Sequence, residues 1–179
     1  VDRVDGWLSD GKLYLRVVDY KTGTKRFDLA ELRYGLGLQM LLYLFALKSE
    51  GEELFGGFPI EPAGVLYLPA REKLLSMPRG ASDEEIDRAM RKELQRTGLV
   101  LSDPKVLHAM EHSVLESPRY LPVRVKRGGD GAAELSGSIA TAAQLGRLGR
   151  YVDEQVRRIA RELADGNIDT DPWARGEQE

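Results

Sequence analysis

Apolar and polar residues alternate through residues 1–8 and again through 12–21, the period of two expected of half-buried strands. Between these runs stands Asp10-Gly11, a pair that tolerates positive φ and so predicts a tight two-residue hairpin loop. From Asp28 to Gly51 the period changes. Leu29, Leu32, Leu36, Met40, Tyr43, Leu44 and Leu47 recur at steps of three and four, which predicts one long helix capped by Asp28 and stopped by Gly51. Residues 36–47 are apolar nearly all round, as in a helix buried against a sheet. A compact apolar run at 62–69, bounded by prolines, predicts a third strand that returns parallel to the hairpin across the helix.

Farther along, Ser82 with Glu85 forms a capping box before the stripe Ile86, Met90 and Leu94. Residues 120–126 alternate and predict an edge strand, with Pro122 tolerable at an edge or bulge. A second capping box, Thr141 with Gln144, opens a helix to Gly166. Its stripe of Leu145, Leu148, Val152, Val156, Ile159 and Leu163 is expected to pack on the core. Its arginine-rich other face is expected to be laced by i,i+4 ion pairs. These patterns predict an α/β fold of three layers, a mixed sheet built on an antiparallel hairpin with helices on both sides. One domain is expected over 1–166, followed by a polar tail over 167–179.

Composition narrows the functional classes. With 42% apolar and 31% charged residues in 179, the chain is globular. No run of about 18 apolar residues and no signal-like start occurs, so it reads as cytoplasmic. A net charge of -3 excludes a global basic footprint, leaving any nucleic-acid contact local. Without cysteine there is no disulfide framework and no thiolate metal site. No glycine-rich phosphate cradle suggests ATP binding. The chain opens at Val1 already in strand-like sequence, and is expected to be part of something longer.

The second run of the hairpin ends in Asp19-Tyr20-Lys21, which puts a carboxylate and an ammonium on one face. With Asp10-Gly11 as the loop, Ser9 pairs with Lys12, Asp5 falls opposite Arg16, and Asp2 falls opposite Asp19. A bulge would exchange the roles of Asp2 and Asp5. Two opposed carboxylates repel unless a cation lies between them. Oxygen ligands with no histidine or cysteine nearby favour Mg²⁺ or Mn²⁺ over zinc. A metal-polarised phosphate beside a lysine suits phosphodiester hydrolysis. By itself a D-x-K is most often a solvated strand end. Gln39 and Tyr43, four apart on the oily helix, are either satisfied core polar groups or donors to the site or a nucleic-acid backbone. Arg71, Lys73 and the loop 126–131 are possible phosphate contacts, though solvated charges and an ordinary hairpin connection are the plainer readings. His108-Ala109-Met110-Glu111-His112 matches the H-x-x-E-H pattern of inverted zinc peptidases, but the rest of the sequence lends a peptidase no support.

Taken together, Val1-Asp2-Arg3-Val4-Asp5, then Val17-Val18-Asp19-Tyr20-Lys21-Thr22-Gly23, then Phe27-Asp28-Leu29, then Gly37-Leu38-Gln39-Met40-Leu41-Leu42-Tyr43 resemble the nuclease domain of the PD-(D/E)XK superfamily. The likeness is to its RecB-like branch and is closest to the AddB (RexB) type of helicase-nuclease protein. The resemblance implies a restriction-endonuclease-like fold, Asp2 and Asp19 as metal ligands with the Tyr20 carbonyl, and Lys21 as the catalytic lysine. Gln39 and Tyr43 become its helical motif, which contacts DNA or orients the site. It further implies a Mg-dependent (Mn possible) exodeoxyribonuclease in double-strand break processing, acting on single-stranded or unwound DNA beside an AddA-type partner. An upstream helix carrying one more ligand is expected before Val1. An iron-sulfur cluster is expected only in a full-length protein, with cysteines beyond the tail. A non-catalytic DNA-guiding scaffold and a stand-alone Cas4-like nuclease are the alternatives.

Overall fold

A computed structural model describes residues 1–23, 25–70, 74–127 and 133–169. Its elements, in chain order, are β1 (Arg3–Ser9), β2 (Lys12–Lys21), α1 (Gln39–Glu50), β3 (Ile60–Pro69), α2 (Asp83–Leu94), β4 (Thr97–Leu101), α3 (Pro104–Met110), β5 (Val123–Arg127), β6 (Ala133–Gly137), β7 (Ile139–Ala140) and α4 (Ala142–Ala164). Thr24, Arg71, Lys73, the segment 128–132 and the tail from 170 onward lie outside the described residues, so the phosphate contacts suggested for Arg71, Lys73 and most of the 126–131 loop are not addressed.

The hairpin forms as its sequence predicts. Asp10 and Gly11 take φ of 51° and 72°, the left-handed pair that matches the twist of the flanking strands. The register runs from Ser9–Lys12 to Arg3–Val18 and sets Asp5 opposite Arg16. β3 returns parallel to β2, with α1 in the crossover, and the five-stranded sheet is ordered β1-β2-β3-β4-β7. Ala63 is an extra residue between the Leu15–Pro62 and Arg16–Gly64 pairs. That bulge explains how a proline is accommodated in an interior strand.

Both faces of the sheet are covered. Val17, Val65, Tyr67, Leu99 and Leu101 pack under Met40, Leu41 and Leu44 of α1 and Leu145 and Val152 of α4. On the other face, Leu66 and Val100 meet Leu107 of α3 together with Val114, Leu121 and Val123. β3 therefore buries consecutive side chains on opposite sides, as a central strand with two covered faces must. The three-layer α/β expectation is met. No helix among the described residues is long and apolar enough to cross a membrane.

Four expectations are corrected. The helix predicted from Asp28 begins only at Gln39: a 3-10 turn at Glu31–Tyr34 comes first, and Gly35 and Gly37, at φ of 74° and 70°, break the helical path. Asp28 accepts the Ala30 N–H at 2.8 Å and so opens that turn rather than α1. Of α1's apolar residues only Met40, Leu41 and Leu44 are fully buried. Second, the alternating segment near 120–126 is no edge of the main sheet. It supplies β5, which pairs with β6 in a separate two-stranded sheet and begins after Pro122. Third, β4 and β7 go beyond the strands that the pattern predicts, β4 being short and opening on Thr97-Gly98. Fourth, the α4 stripe packs only at its first half, since Val156, Ile159 and Leu163 are exposed. Both capping boxes form, as do the i,i+4 pairs Arg157–Asp153 (2.8 Å) and Arg158–Glu162 (3.7 Å).

Gly51 ends α1 for a reason other than backbone freedom. Its φ of -87° suits any residue, but a Cβ there would press into the Leu47 carbonyl oxygen and come within 2.7 Å of Ile60 Cδ1. Glycine lets the chain turn tightly from α1 toward β3.

Candidate active site

The carboxyl ends of parallel strands are where open α/β sheets build their sites. β2 and β3 end side by side, with Asp19 paired to Tyr67 and Lys21 to Pro69. Strand alternation sends Asp19 and Lys21 to the α1 side of the sheet. There the Lys21 ammonium lies 2.5 Å from Asp19 Oδ2 and 5.8 Å from the centre of the Tyr67 ring. The Asp19 side chain is only 14% exposed, against 38% for Lys21. The hydrogen bond to Asp19 and the nearby charges of Asp19 and Asp2 hold the lysine above the usual amine range, so it is a cation at neutral pH. Burial pushes the Tyr67 hydroxyl up as well, and Tyr67 is uncharged beside it.

Asp2 stands one step beyond the last rung of the hairpin ladder. Its N–H bonds the Val18 carbonyl at 3.3 Å, and its Oδ2 accepts the Tyr20 N–H at 2.7 Å. The carboxylate thus caps the strand end at the residue between Asp19 and Lys21. Asp2, Asp19 and Lys21 are brought together as the hairpin register predicts.

The donor set fits a hard cation. Asp19 Oδ2 is shut off from solvent and receives no aligned hydrogen bond, its contact with Lys21 being an ion pair of poor hydrogen-bond geometry. A buried carboxylate oxygen in that state is suited to a metal ion, which needs no donor hydrogen. Among the described residues no three His, Cys, Asp or Glu side chains converge at metal-binding spacing. Two carboxylates with water, a backbone carbonyl and substrate oxygens is the kind of partial set that Mg²⁺ commonly uses.

Across from Lys21 the broken helical path puts Gln39 in the first turn of α1, one turn before Tyr43. Gln39 Nε2 donates to the Tyr43 hydroxyl at 3.4 Å. Both are exposed, so neither is the core polar group of the plainer reading. They line an open cleft of about 590 Å³ together with Lys21, Lys25 and Tyr67. No sequence signal singles out Lys25 or Tyr67. Tyr67 falls opposite Asp19 only because the Ala63 bulge shifts the β2–β3 register, and nothing in the alternation of 62–69 announces that shift.

Asp5 belongs to the other face of the sheet. It bridges Arg16 and Arg3, each at 2.8 Å. Burial works against its charge, but the two guanidinium hydrogen bonds outweigh that and hold the carboxyl below the usual range. The H-x-x-E-H segment is also structural. α3 ends at Met110, the two histidine rings stack with centroids 4.4 Å apart, and Glu111 is buried. Its carboxylate accepts the N–H groups of Arg119 (2.5 Å), Tyr120 (3.1 Å) and Leu121 (2.9 Å), so it is not free to act as a base.

Comparison with known proteins agrees with this geometry. A family profile described as the PD-(D/E)XK nuclease superfamily matches residues 1–175. The chain is 38% identical over 173 residues to the B-type protein of the ATP-dependent helicase/deoxyribonuclease from Clostridium botulinum (strain Loch Maree / Type A3), covering 97% of this chain and 15% of that protein. The protein of the same name from Acetivibrio thermocellus is 34% identical over 173 residues, with the same coverage. That from Clostridium perfringens (strain ATCC 13124) is 35% identical over 174 residues, covering 96% and 15%. The chain therefore spans about 15% of the length of these relatives.

Proposed function

The chain belongs to the PD-(D/E)XK nuclease superfamily, and from that premise we propose that it is a metal-dependent deoxyribonuclease domain that hydrolyses phosphodiester bonds of DNA with Mg²⁺ or Mn²⁺. The observation that carries this reading is the Asp19–Lys21 pair, a buried carboxylate oxygen without an aligned donor and an ammonium 2.5 Å away. Asp2, Asp19 and the Tyr20 carbonyl would hold the ion. When bound, such a cation polarises a phosphoryl oxygen and lowers the pKa of a coordinated water.

The chain's own groups supply the rest. Lys21, held as a cation, is a donor for the charge that builds on the phosphate. The Gln39 amide and Tyr43 hydroxyl can bond phosphate oxygens along the cleft, and the half-exposed Tyr43 ring offers a face for a base. The relatives' names support an assembly role. We place the domain in a bacterial helicase-nuclease complex beside an AddA-type partner, trimming unwound strands at double-strand breaks in the cytoplasm. The chain has no cysteine, so it holds no iron-sulfur cluster through thiolates of its own.

The test is cleavage of end-labelled single-stranded DNA. The parent chain is expected to cut in Mg²⁺ and to stop in EDTA, and Asp19→Ala to slow cutting by about 100-fold or more. Asp19→Ala and Lys21→Ala chains that both cut as fast as the parent would overturn the assignment. Binding of DNA without any cutting by the parent would favour the scaffold reading.

A further inference from the structure

The sheet face turned away from α1 carries a second concentration of positive charge. Arg3 and Arg16 stand on that face of the β1–β2 ladder, linked through Asp5. Arg3 Nη1 donates to the Tyr20 hydroxyl at 2.9 Å, and the guanidinium lies 5.9 Å from the Tyr20 ring centre. Arg96 approaches from the residue before β4. Its N–H bonds the Tyr120 carbonyl at 2.8 Å and its guanidinium sits 5.3 Å from the Tyr120 ring centre.

These cations are poorly matched. Among the described residues no carboxylate lies within ion-pair distance of Arg96, and Arg16 Nη1 is buried without a hydrogen-bond partner. Burial and then the neighbouring Arg16 and Arg3 charges depress the Arg96 pKa, while Glu111 opposes them. Yet the Glu111 oxygens are already occupied by three backbone N–H groups. Three guanidiniums thus share one free-standing acid, Asp5, while the rings of Tyr20 and Tyr120 are 42% and 37% exposed.

We propose that Arg3, Arg16 and Arg96, with Tyr20 and Tyr120, form a second binding site for single-stranded nucleic acid. An incoming phosphate would relieve the crowded guanidinium charge. The exposed tyrosines would offer faces to the bases. Tyr20 sits between Asp19 and Lys21 while its ring points to the opposite face, so a strand crossing the β1 edge reaches both sites. This proposal rests on the nuclease reading and gives the same DNA strand a hold outside the cleft.

The test is fluorescence anisotropy with a labelled oligothymidylate over a KCl series in metal-free buffer, in the Asp19→Ala background. Arg96→Gln and Arg3→Gln are each expected to weaken binding roughly tenfold and to lower the slope of log K against log [salt] by about 0.7. Arg96→Lys should keep the slope, and Tyr120→Ala should weaken binding without changing it. Arg147→Gln, on the exposed face of α4, should change neither. Folding is checked by circular dichroism. Should Arg96→Gln unfold the chain, Arg3→Gln and Tyr120→Ala decide the matter. Unchanged affinity and slope in the folded variants, or no oligonucleotide binding by the Asp19→Ala chain, would overturn the second site. Failure of the nuclease reading registers separately, as undiminished cutting by Asp19→Ala.

Discussion

Removing the Glu111 carboxylate should be among the most damaging single changes in this chain. Glu111 is 8% exposed and gathers three consecutive N–H groups, of Arg119, Tyr120 and Leu121, that no strand or helix satisfies. In Glu111→Ala the Leu121 N–H remains buried without a partner, at a cost of about 1–3 kcal/mol. The part-buried Arg119 and Tyr120 groups exchange charge-assisted bonds for water, which brings the total to about 3–5 kcal/mol. For a domain of this size that corresponds to a fall in Tm of about 10 °C. Glu111→Gln keeps one acceptor oxygen but turns an NH₂ group toward backbone donors, so it should lose about half as much. Urea unfolding followed by circular dichroism measures both, with equal m-values as the check that the denatured states are comparable. A Glu111→Ala chain within about 0.5 kcal/mol of the parent would refute the reasoning, because three buried or half-buried N–H groups cannot lose a carboxylate so cheaply.

Two further outcomes follow from the packing and the charges. Asp5 has a folded-state pKa below its ordinary value of 3.8. Its ion pairs therefore stabilise the fold above that value, and the contribution is lost as the pH falls through the lower, folded one. The stability gap between the parent and Asp5→Asn should be constant near neutrality and shrink below about pH 4, as denaturant melts across that range would read. A gap that stays constant in acid would show that Asp5 acts through packing instead. Gly51→Ala should destabilise by about 1–3 kcal/mol through overpacking against Leu47 and Ile60. A rise in Tm, the usual entropic benefit of replacing glycine at a permitted φ, would contradict the close approach.

The most legible parts of the molecule were those fixed by local chemistry. Asp10-Gly11 dictated the loop, the loop dictated the register, and the register separated Asp5, ion-paired on one face, from Asp2 and Asp19 on the other. The capping boxes at Ser82 and Thr141 behaved the same way. What depended on distant partners was harder to read. Leu29, Leu32 and Leu36 fit a helical period, but Gly35 and Gly37 divert the chain, and Leu32 is buried from a 3-10 turn instead. Periodicity counts apolar side chains and does not weigh two glycines at positive φ against them. β7 is two residues long and exists because β4 offers it an edge. The role of Tyr67 waited on a bulge, and the arginines of the far face on which strands lie side by side.

The two carboxylates of the candidate site differ in how firmly the fold keeps them. Asp19 lies on β2, flanked by β1 and β3, and losing its position means separating strands at the centre of the sheet. Asp2 sits past the end of the outermost strand, held by one backbone bond and one carboxylate bond. Local opening of that strand end costs far less than global unfolding. Fraying of β1 from Arg3 would therefore dismantle half of the cation site, and shift the Arg3–Tyr20 contact behind it, while the core stays folded. Amide hydrogen exchange would show this as early loss of protection at Tyr20, whose N–H is the one that Asp2 holds. The readiness of the site would then follow the order of a single strand end, a property separate from the stability of the domain.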